Sequence, residues 1–251
     1  MGALVIPVVL SFPAMLIAQT GLTIMTYNIH HGKDVDGLDQ LTKIAEVIRQ
    51  SGADIVGLQE VDSVCLRSGR TDQAKKLAEL TGMYHAFVRH IAYEGGAYGM
   101  ALLSKYPIRS IKNHRLPIAS DIPGETRAFL TAEIKISKQK KWLTGVAHLD
   151  YRDANSRKKQ AEQIISIFEQ SALPGILVGD LNAMPTQDEI APVLFSFQDT
   201  QPDDSFTFPA TQPARKIDYI LIRQSHPVRV LKREVIPVSY SDHLPVITTI
   251  Q

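Results

Sequence analysis

One cysteine in 251 residues removes two explanations at once: Cys65 can form no internal disulfide, and no multi-cysteine metal cluster can be assembled. A lone cysteine of this kind reads as an inert, part-buried thiol. Charge of one sign is equally scarce. The 27 Lys and Arg nearly cancel the 26 Asp and Glu, leaving a net charge of +1, so no global field draws the chain onto nucleic acid or anionic lipid. No apolar run reaches the ~20 residues of a membrane-spanning helix. The longest, residues 3–18, carries one serine and suits a signal-peptide core cleaved after Ala18, although no basic residue precedes it. No cysteine follows it, which excludes a lipoprotein anchor. Internal repeats, low-complexity tracts and linkers are missing too. With 44% apolar residues, the remainder, 21–251, is expected to be one domain with a substantial core, and the leader implies a secreted or periplasmic protein.

What is present from Gly21 onward is an interleaving of strand-like and helix-like segments. Leu22 to Ile29 reads as a strand. Leu38, Leu41, Ile44, Ala45 and Ile48 then recur at helical spacing until Ser51-Gly52 stops them. Ala53 to Leu58 predicts a second strand with Glu60 just past its end, and 72–80 a short helix capped by Thr71 or Asp72 and stopped by Gly82. Strand-like runs follow at 83–89, 98–104, 127–136, 142–149, 175–179, 217–223, 227–235 and 245–250. Between them Ala161, Ile164, Ile165 and Phe168 form the stripe of a helix lying on a sheet. Several strands follow one another directly, which predicts an α/β protein with mixed sheets. Residues 183–213, rich in Pro, Asp, Gln and Thr, read as surface loops over a site.

Polar residues at the ends of the apolar runs carry the chemistry. Glu60 follows a dry strand and needs a partner, for which a hard divalent cation is suited; Asn28 would ligate that ion or orient the carboxylate. Asp180 and Asn182, one residue apart in an extended segment, would face a common point. The acid would orient or deprotonate water and the amide stabilise charge on a phosphoryl oxygen. His243, after Ser241-Asp242, is a base titrating near neutrality, and Asp218, embedded in a strand-like run, is the acceptor its second ring nitrogen needs. His148 ends another strand and would be the acid for a leaving oxygen or a phosphate donor.

In their order, Thr26-Tyr27-Asn28, Leu58-Gln59-Glu60, His148-Leu149, Gly179-Asp180-Leu181-Asn182, Ile217-Asp218-Tyr219 and Ser241-Asp242-His243-Leu244-Pro245 resemble the endonuclease/exonuclease/phosphatase superfamily of metal-dependent phosphoesterases. The resemblance covers almost all of 21–251. It implies a four-layered α/β sandwich, two mixed sheets face to face with helices outside, and a Mg²⁺ site at one end, Mn²⁺ being the alternative ion. By it, Asn28 and Glu60 bind metal, Asp180 and Asn182 position nucleophile and phosphate, Asp218 orients His243, and Asp242 completes the metal or base environment. Arg127, in Glu125-Thr126-Arg127-Ala128, falls where many relatives have an arginine facing the phosphate. Ala147-His148-Leu149 looks like the deoxyribonuclease, sphingomyelinase and inositol-phosphatase relatives rather than abasic-site endonucleases. The spacing of Arg67–Gln73, Gly95–Gly99 and Thr207–Ala210 is similar to the bacterial metal-dependent hydrolases of the superfamily. His30 and His31 beside Asn28 are given no role.

The function expected is a Mg²⁺-dependent phosphodiesterase acting on a small or lipid-linked phosphodiester, with water activated by His243. The enzyme is expected to be a monomer without a stable protein partner. The alternative is an exported nuclease acting on DNA or RNA, whose basic patches would be Lys138, Lys140 and Lys141 with Arg157, Lys158 and Lys159.

Overall fold

A computed structural model describes residues 21–119 and 127–251. The leader at 1–18, together with Glu125 and Thr126, lies outside the described residues. Strands β1 (Leu22–Asn28), β2 (Ile55–Ser63), β3 (Tyr84–Tyr93) and β4 (Gly96–Ser104) begin one sheet. The second sheet comprises β5 (Ile108–Leu116), β6 (Arg127–Lys135), β7 (Lys141–His148), β8 (Gly175–Asp180), β9 (Phe197–Asp199) and β10 (Asp218–Arg223). The chain then returns to the first with β11 (Val230–Val235) and β12 (Val246–Ile250). The strand orders are β11-β12-β1-β2-β4-β3 and β5-β6-β7-β8-β10-β9. Both sheets are mixed: β1 runs parallel to β2 and antiparallel to β12, while β8 runs parallel to β7 and antiparallel to β10.

Three apolar clusters show how the layers stack. Ile24, Ile55, Leu102, Leu130, Val146, Val178 and Ile220 fill the space between the sheets. Met25, Tyr27, Val56 and Leu58, one residue out of phase, meet helices α1 (Leu41–Ser51) and α2 (Gln73–Thr81) on the outer face of the first sheet. Phe129, Ala147, Leu177 and Tyr219 do the same with α3 (Ala154–Glu169) and α4 (Ala191–Ser196) on the second. The result is the expected four-layered sandwich. The strand period of two therefore decides which side chains enter the inter-sheet space. Asn28, His148, Asp180 and Asp218 share the phase of Ile24, Val146, Val178 and Ile220 and are aimed between the sheets. The sheets meet closely at Gly57, where an added Cβ would lie 2.2 Å from Val178 Cγ2.

Local chemistry sets the element ends. Gly52 and Gly82 close α1 and α2 with φ of 70°. Of the two expected caps of α2 the structure selects Asp72, whose Oδ1 accepts from Lys75 N at 3.1 Å. Four expectations need correction. Leu38 is not in α1; Asp34 accepts the N–H groups of Asp36 and Leu38, winding that segment into a turn before Leu41. The strand carrying Glu60 runs on to Ser63 through a bulge, so the acid sits inside β2. The edge strand β5 was not expected, because its residues are mostly exposed and polar and show no apolar alternation. The 183–213 segment is also more than loops, since it contains α4 and β9.

Candidate active site

The phase argument brings the strand-end residues to one mouth of the sandwich. In the register, His148 of β7 and Asp218 of β10 flank Asp180 of β8 on either side. Asn28 enters from the facing sheet, with its Nδ2 3.2 Å from Asp180 Oδ2 and 3.1 Å from Glu60 Oε1. Ser241 Oγ donates to the Asn28 carbonyl at 2.7 Å, which seats the segment before β12 beside β1. His243 is thereby placed with Nδ1 2.9 Å from Asp218 Oδ2 and Nε2 3.7 Å from Asp180 Oδ2. His148 Nε2 stands 3.6 Å from the same Asp180 oxygen.

Two backbone features aim these groups. Between Leu58 and Val61, β2 spends three steps against two of β4, and the extra residue is absorbed with Glu60 at φ 58°. The bulge turns a half-buried carboxylate into the mouth at the cost of a left-handed conformation. Gly179, before Asp180, has φ 149°, and a Cβ there would lie 2.0 Å from the Ala147 carbonyl oxygen. No other residue allows β8 so near β7 at this point.

Electrostatically, His243 is the centre. Burial alone would lower its pKa, but the Asp218 carboxylate, bonded to Nδ1, together with Asp180 and Asp242, raises it to about 10. Burial, opposed by His243 and reinforced by Asp218, raises Asp180 to about 7. His148 is pushed well below its usual value by burial and then by Arg127 and His243. The neighbouring acids thus favour the charged form of His243, while burial and its positive neighbours favour the neutral form of His148. The raised pKa of Asp180 makes it a second candidate for the base beside His243. His148, neutral, can donate an N–H to phosphate but is no proton source.

The remaining expected residues are placed differently. Arg127 is buried beside His148, as an arginine facing the site would be; its Nε is 3.6 Å from Asp150 Oδ2, its guanidinium 5.7 Å from the Tyr151 ring, and it lines a small cavity with His90, Tyr98 and His148. Asn182 is not extended. At φ 50°, it donates its backbone N–H to Asp180 Oδ1 at 2.8 Å and its Nδ2 to the Leu149 carbonyl at 3.1 Å, so it positions Asp180 instead of facing a phosphate. Asn28 presents its nitrogen, not its oxygen, to Glu60, while Oδ1 accepts from His30 N, which is the orienting role rather than the ligating one. Asp242 accepts from Ser241 Oγ at 3.2 Å and touches neither Glu60 nor Asn28. One basic patch does not line the mouth, and the other is partly engaged. Residues 138–141 lie at the opposite end of β6 and β7 from Arg127 and His148, and Arg157 is buried against Glu189. Sequence reasoning missed Thr207, whose Oγ1 donates to Asp218 Oδ2 at 2.5 Å, and Asp150. Their only sequence signal is position: Thr207 lies in the Thr207–Ala210 segment, and Asp150 follows His148-Leu149.

Asp180, Asp218 and His243 offer ligand atoms all within 4.8 Å of one another. Two of those atoms already bond each other, so the set serves a proton before a metal. Glu60 is the better-suited holder of an ion: half-buried and strained toward the mouth, it has Asn28 Nδ2 as its hydrogen-bond partner and no Lys or Arg among the described residues as an ion-pair partner. Oxygen donors without a thiolate fit a hard divalent cation.

Comparison with known proteins follows the same lines. The sequence profile of the Endonuclease/Exonuclease/phosphatase family matches residues 25–243. An endonuclease/exonuclease/phosphatase from Beutenbergia cavernae superposes with a TM-score of 0.71 at 23% identity, covering 92% of this chain and 71% of that one. A mannosyl-6-phosphatase from Bacteroides thetaiotaomicron gives 0.73 at 19% identity, covering 92% and 99%. The protein cwh43 of Schizosaccharomyces pombe is 26% identical over 153 residues, 61% of this chain but only 15% of that protein's length.

Proposed function

The chain belongs to the endonuclease/exonuclease/phosphatase family, whose members hydrolyse phosphoesters, and on that premise we propose a divalent-cation-dependent phosphodiesterase acting on a small or lipid-linked phosphodiester. The observation that carries the reading is the buried line Asp218–His243–Asp180 running up to the Asn28–Glu60 pair. Glu60 would hold Mg²⁺ or Mn²⁺, with Asn28 fixing the carboxylate. The bound ion supplies charge neutralisation on the phosphoryl group.

The chain's own groups supply the rest. Asp180, with a pKa of about 7, accepts the proton of the attacking water. Asn182 holds its other oxygen in place. His243, kept protonated and oriented by Asp218, donates Nε2–H toward a phosphoryl oxygen, where His148 and Arg127 add a neutral donor and a fixed positive charge.

A lipid-linked substrate is supported by the apolar residues left exposed on the loops at the catalytic end, Val35, Leu38, Leu66, Tyr93, Tyr151 and Phe206. Residues 1–18 would carry the chain out of the cytoplasm. The nuclease alternative has less support, since the 138–141 run lies at the far end of its strands from the mouth and Arg157 is engaged by Glu189. Ion-stripped protein should leave bis(p-nitrophenyl) phosphate intact until Mg²⁺ or Mn²⁺ is added. Full activity in excess chelator would overturn the proposal, and cleavage of plasmid DNA at higher efficiency than any small diester would transfer it to the nuclease.

A further inference from the structure

Arg127, the fixed positive charge at the phosphoryl group in the reading above, opens β6 between two strand ends. Leu116, the last residue of β5, is its register partner on one side. On the other side β6 pairs with β7, whose Ala147 stands opposite Phe129 and whose following loop carries Asp150. The segments that leave both ends are held by three buried polar side chains of α3, none of which has a part in the proposed hydrolysis. Gln160, with no exposed surface, engages both ends of its amide. Its Oε1 accepts the Asp150 N–H at 2.9 Å and its Nε2 donates to the Pro117 carbonyl at 3.0 Å, so one side chain joins the two strand ends that flank Arg127. Ser156 Oγ accepts the Ala119 N–H at 2.8 Å. Arg157 Nη1 donates to the Asp150 carbonyl at 3.1 Å, and its charge is answered by Glu189, which accepts from Nε at 3.0 Å.

Asp150 is thereby fixed at every polar atom but one. Its N–H and carbonyl are taken by α3, and its Oδ1 accepts the N–H groups of Arg152 and Asp153 at 2.8 and 2.9 Å. The remaining Oδ2 stands 3.6 Å from Arg127 Nε, too far for a direct hydrogen bond. That Nε, though buried, has no hydrogen-bond partner among the described residues. Arg67 shows the contrasting case, gripped by Asp62 through Nε and Nη2, both at 2.8 Å. A buried guanidinium held near a carboxylate without being gripped by it keeps its charge and its Nε–H for another anion.

Stability does not select these helix residues. Ala161, Ile164 and Phe168 bury the apolar stripe of α3 against the second sheet, and Arg157 and Gln160 prolong that stripe toward the helix N-terminus at the same spacing. A hydrogen bond there adds less net stability than an apolar side chain of similar size would by burial. What Ser156, Arg157 and Gln160 share is a bond to the backbone that leaves the strands on either side of Arg127.

Resting on the phosphodiesterase reading above, we infer that Ser156, Arg157 and Gln160 are positioning residues: they set the two strand ends, and through Asp150 the guanidinium of Arg127, so that its charge meets a phosphoryl oxygen instead of a carboxylate. The test is a double-variant cycle on the whole chain with Mg²⁺ and bis(p-nitrophenyl) phosphate, comparing wild type, Gln160→Met, Arg127→Ala and the two combined, with folding checked by circular dichroism. Gln160→Met should lower kcat/KM by roughly tenfold or more, since ~1 Å of misplacement can cost ~10²-fold. Where Arg127 is already Ala, the same change should alter kcat/KM by less than about twofold. An equal loss in both backgrounds would make Gln160 a merely structural residue and overturn the inference, as would no loss in the wild type. If Gln160→Met does not fold, Ser156→Ala, which loses the Ala119 bond and one contact to Asp153, should repeat the pattern on a smaller scale, and its failure to do so overturns the inference equally. If the wild type cleaves no diester with Mg²⁺ or Mn²⁺, the phosphodiesterase reading falls and calorimetric binding of inorganic phosphate to the ion-free protein decides. Phosphate binding weakened by Gln160→Met and by Arg127→Ala, but no further by the two together, supports the positioning role. Equal affinity in wild type and Gln160→Met, or no binding by the wild type, ends it.

Discussion

Replacing Asp218 by Asn tests the division of labour at the centre of the site, because only one of the two possible roles of His243 predicts an alkaline limb that the substitution can move. In the structure Asp218 is bonded to His243 Nδ1 at 2.9 Å and, once burial is overcome, is the largest influence raising that ring to about 10. If Asp180 is the base and the imidazolium a donor, kcat/KM rises with pH as Asp180 ionises through about 7 and falls as His243 loses its proton through about 10. A bound cation lowers both limbs without exchanging their order. Asp218→Asn removes the anion that favours both the protonated ring and the protonated form of Asp180, so the alkaline limb and the acidic limb both move to lower pH. Were His243 the base, the same substitution would move the acidic limb down and leave no alkaline limb to shift. The loss in kcat should be about 10²–10⁴, the usual contribution of a positioned acid–base group, with little change in KM. The double variant Asp218→Asn/His243→Ala should be scarcely slower than His243→Ala, since both disable one device. The assay is steady-state hydrolysis of a chromogenic diester from pH 5 to 11 with an NMR titration of the imidazole nitrogens in ion-free protein. An alkaline limb that is absent or does not move, or fully multiplicative losses, would refute the assignment.

Glu60→Gln should raise the Mg²⁺ concentration needed for half-maximal rate by at least tenfold while leaving the melting temperature nearly unchanged, read by metal titration and thermal unfolding. Thr207→Val removes the 2.5 Å hydrogen bond to Asp218 and should slow kcat about 10-fold, given ~1.5–3 kcal/mol for a hydrogen bond to a charged group; Thr207→Ser should recover most of it, and failure of that rescue would point to packing instead. Lys216, wholly buried with Nζ 2.6 Å from Asp199 and bonded to the carbonyls of Gln201 and Pro202, should cost about 3–5 kcal/mol in urea unfolding when changed to Met, because Asp199 is left without its counter-charge.

The fold was legible where a buried strand alternates or runs apolar. The phase that buries Ile24 and Val178 also sends Asn28 and Asp180 into the same space, so locating strand ends located the site. What periodicity could not carry was backbone detail. The bulge at Glu60 and the left-handed turn at Asn182 each re-aim a side chain without leaving a pattern. Charge was illegible for a related reason. A sequence shows that His243 has acids for company, but only their distances show that together they outweigh burial and keep the ring protonated. The polar edge strand β5 escaped notice because an edge need not be apolar on either face.

The pairing of β1 with β12 has a consequence in time. Asn28 and the His243 imidazole lie 3.5 Å apart although 215 positions separate them, and β12 is an interior strand, flanked by β11 and β1. A ribosome-bound chain that has made β1 through β10 possesses Asp180, Asp218 and Glu60, yet lacks the His243 that the mechanism above uses until the segment ending in β12 slots into the sheet. Long-range closure of this sort is slow, so the catalytic power of the chain appears as a single late event. Turnover by this mechanism is therefore a report that β12 has joined the sheet.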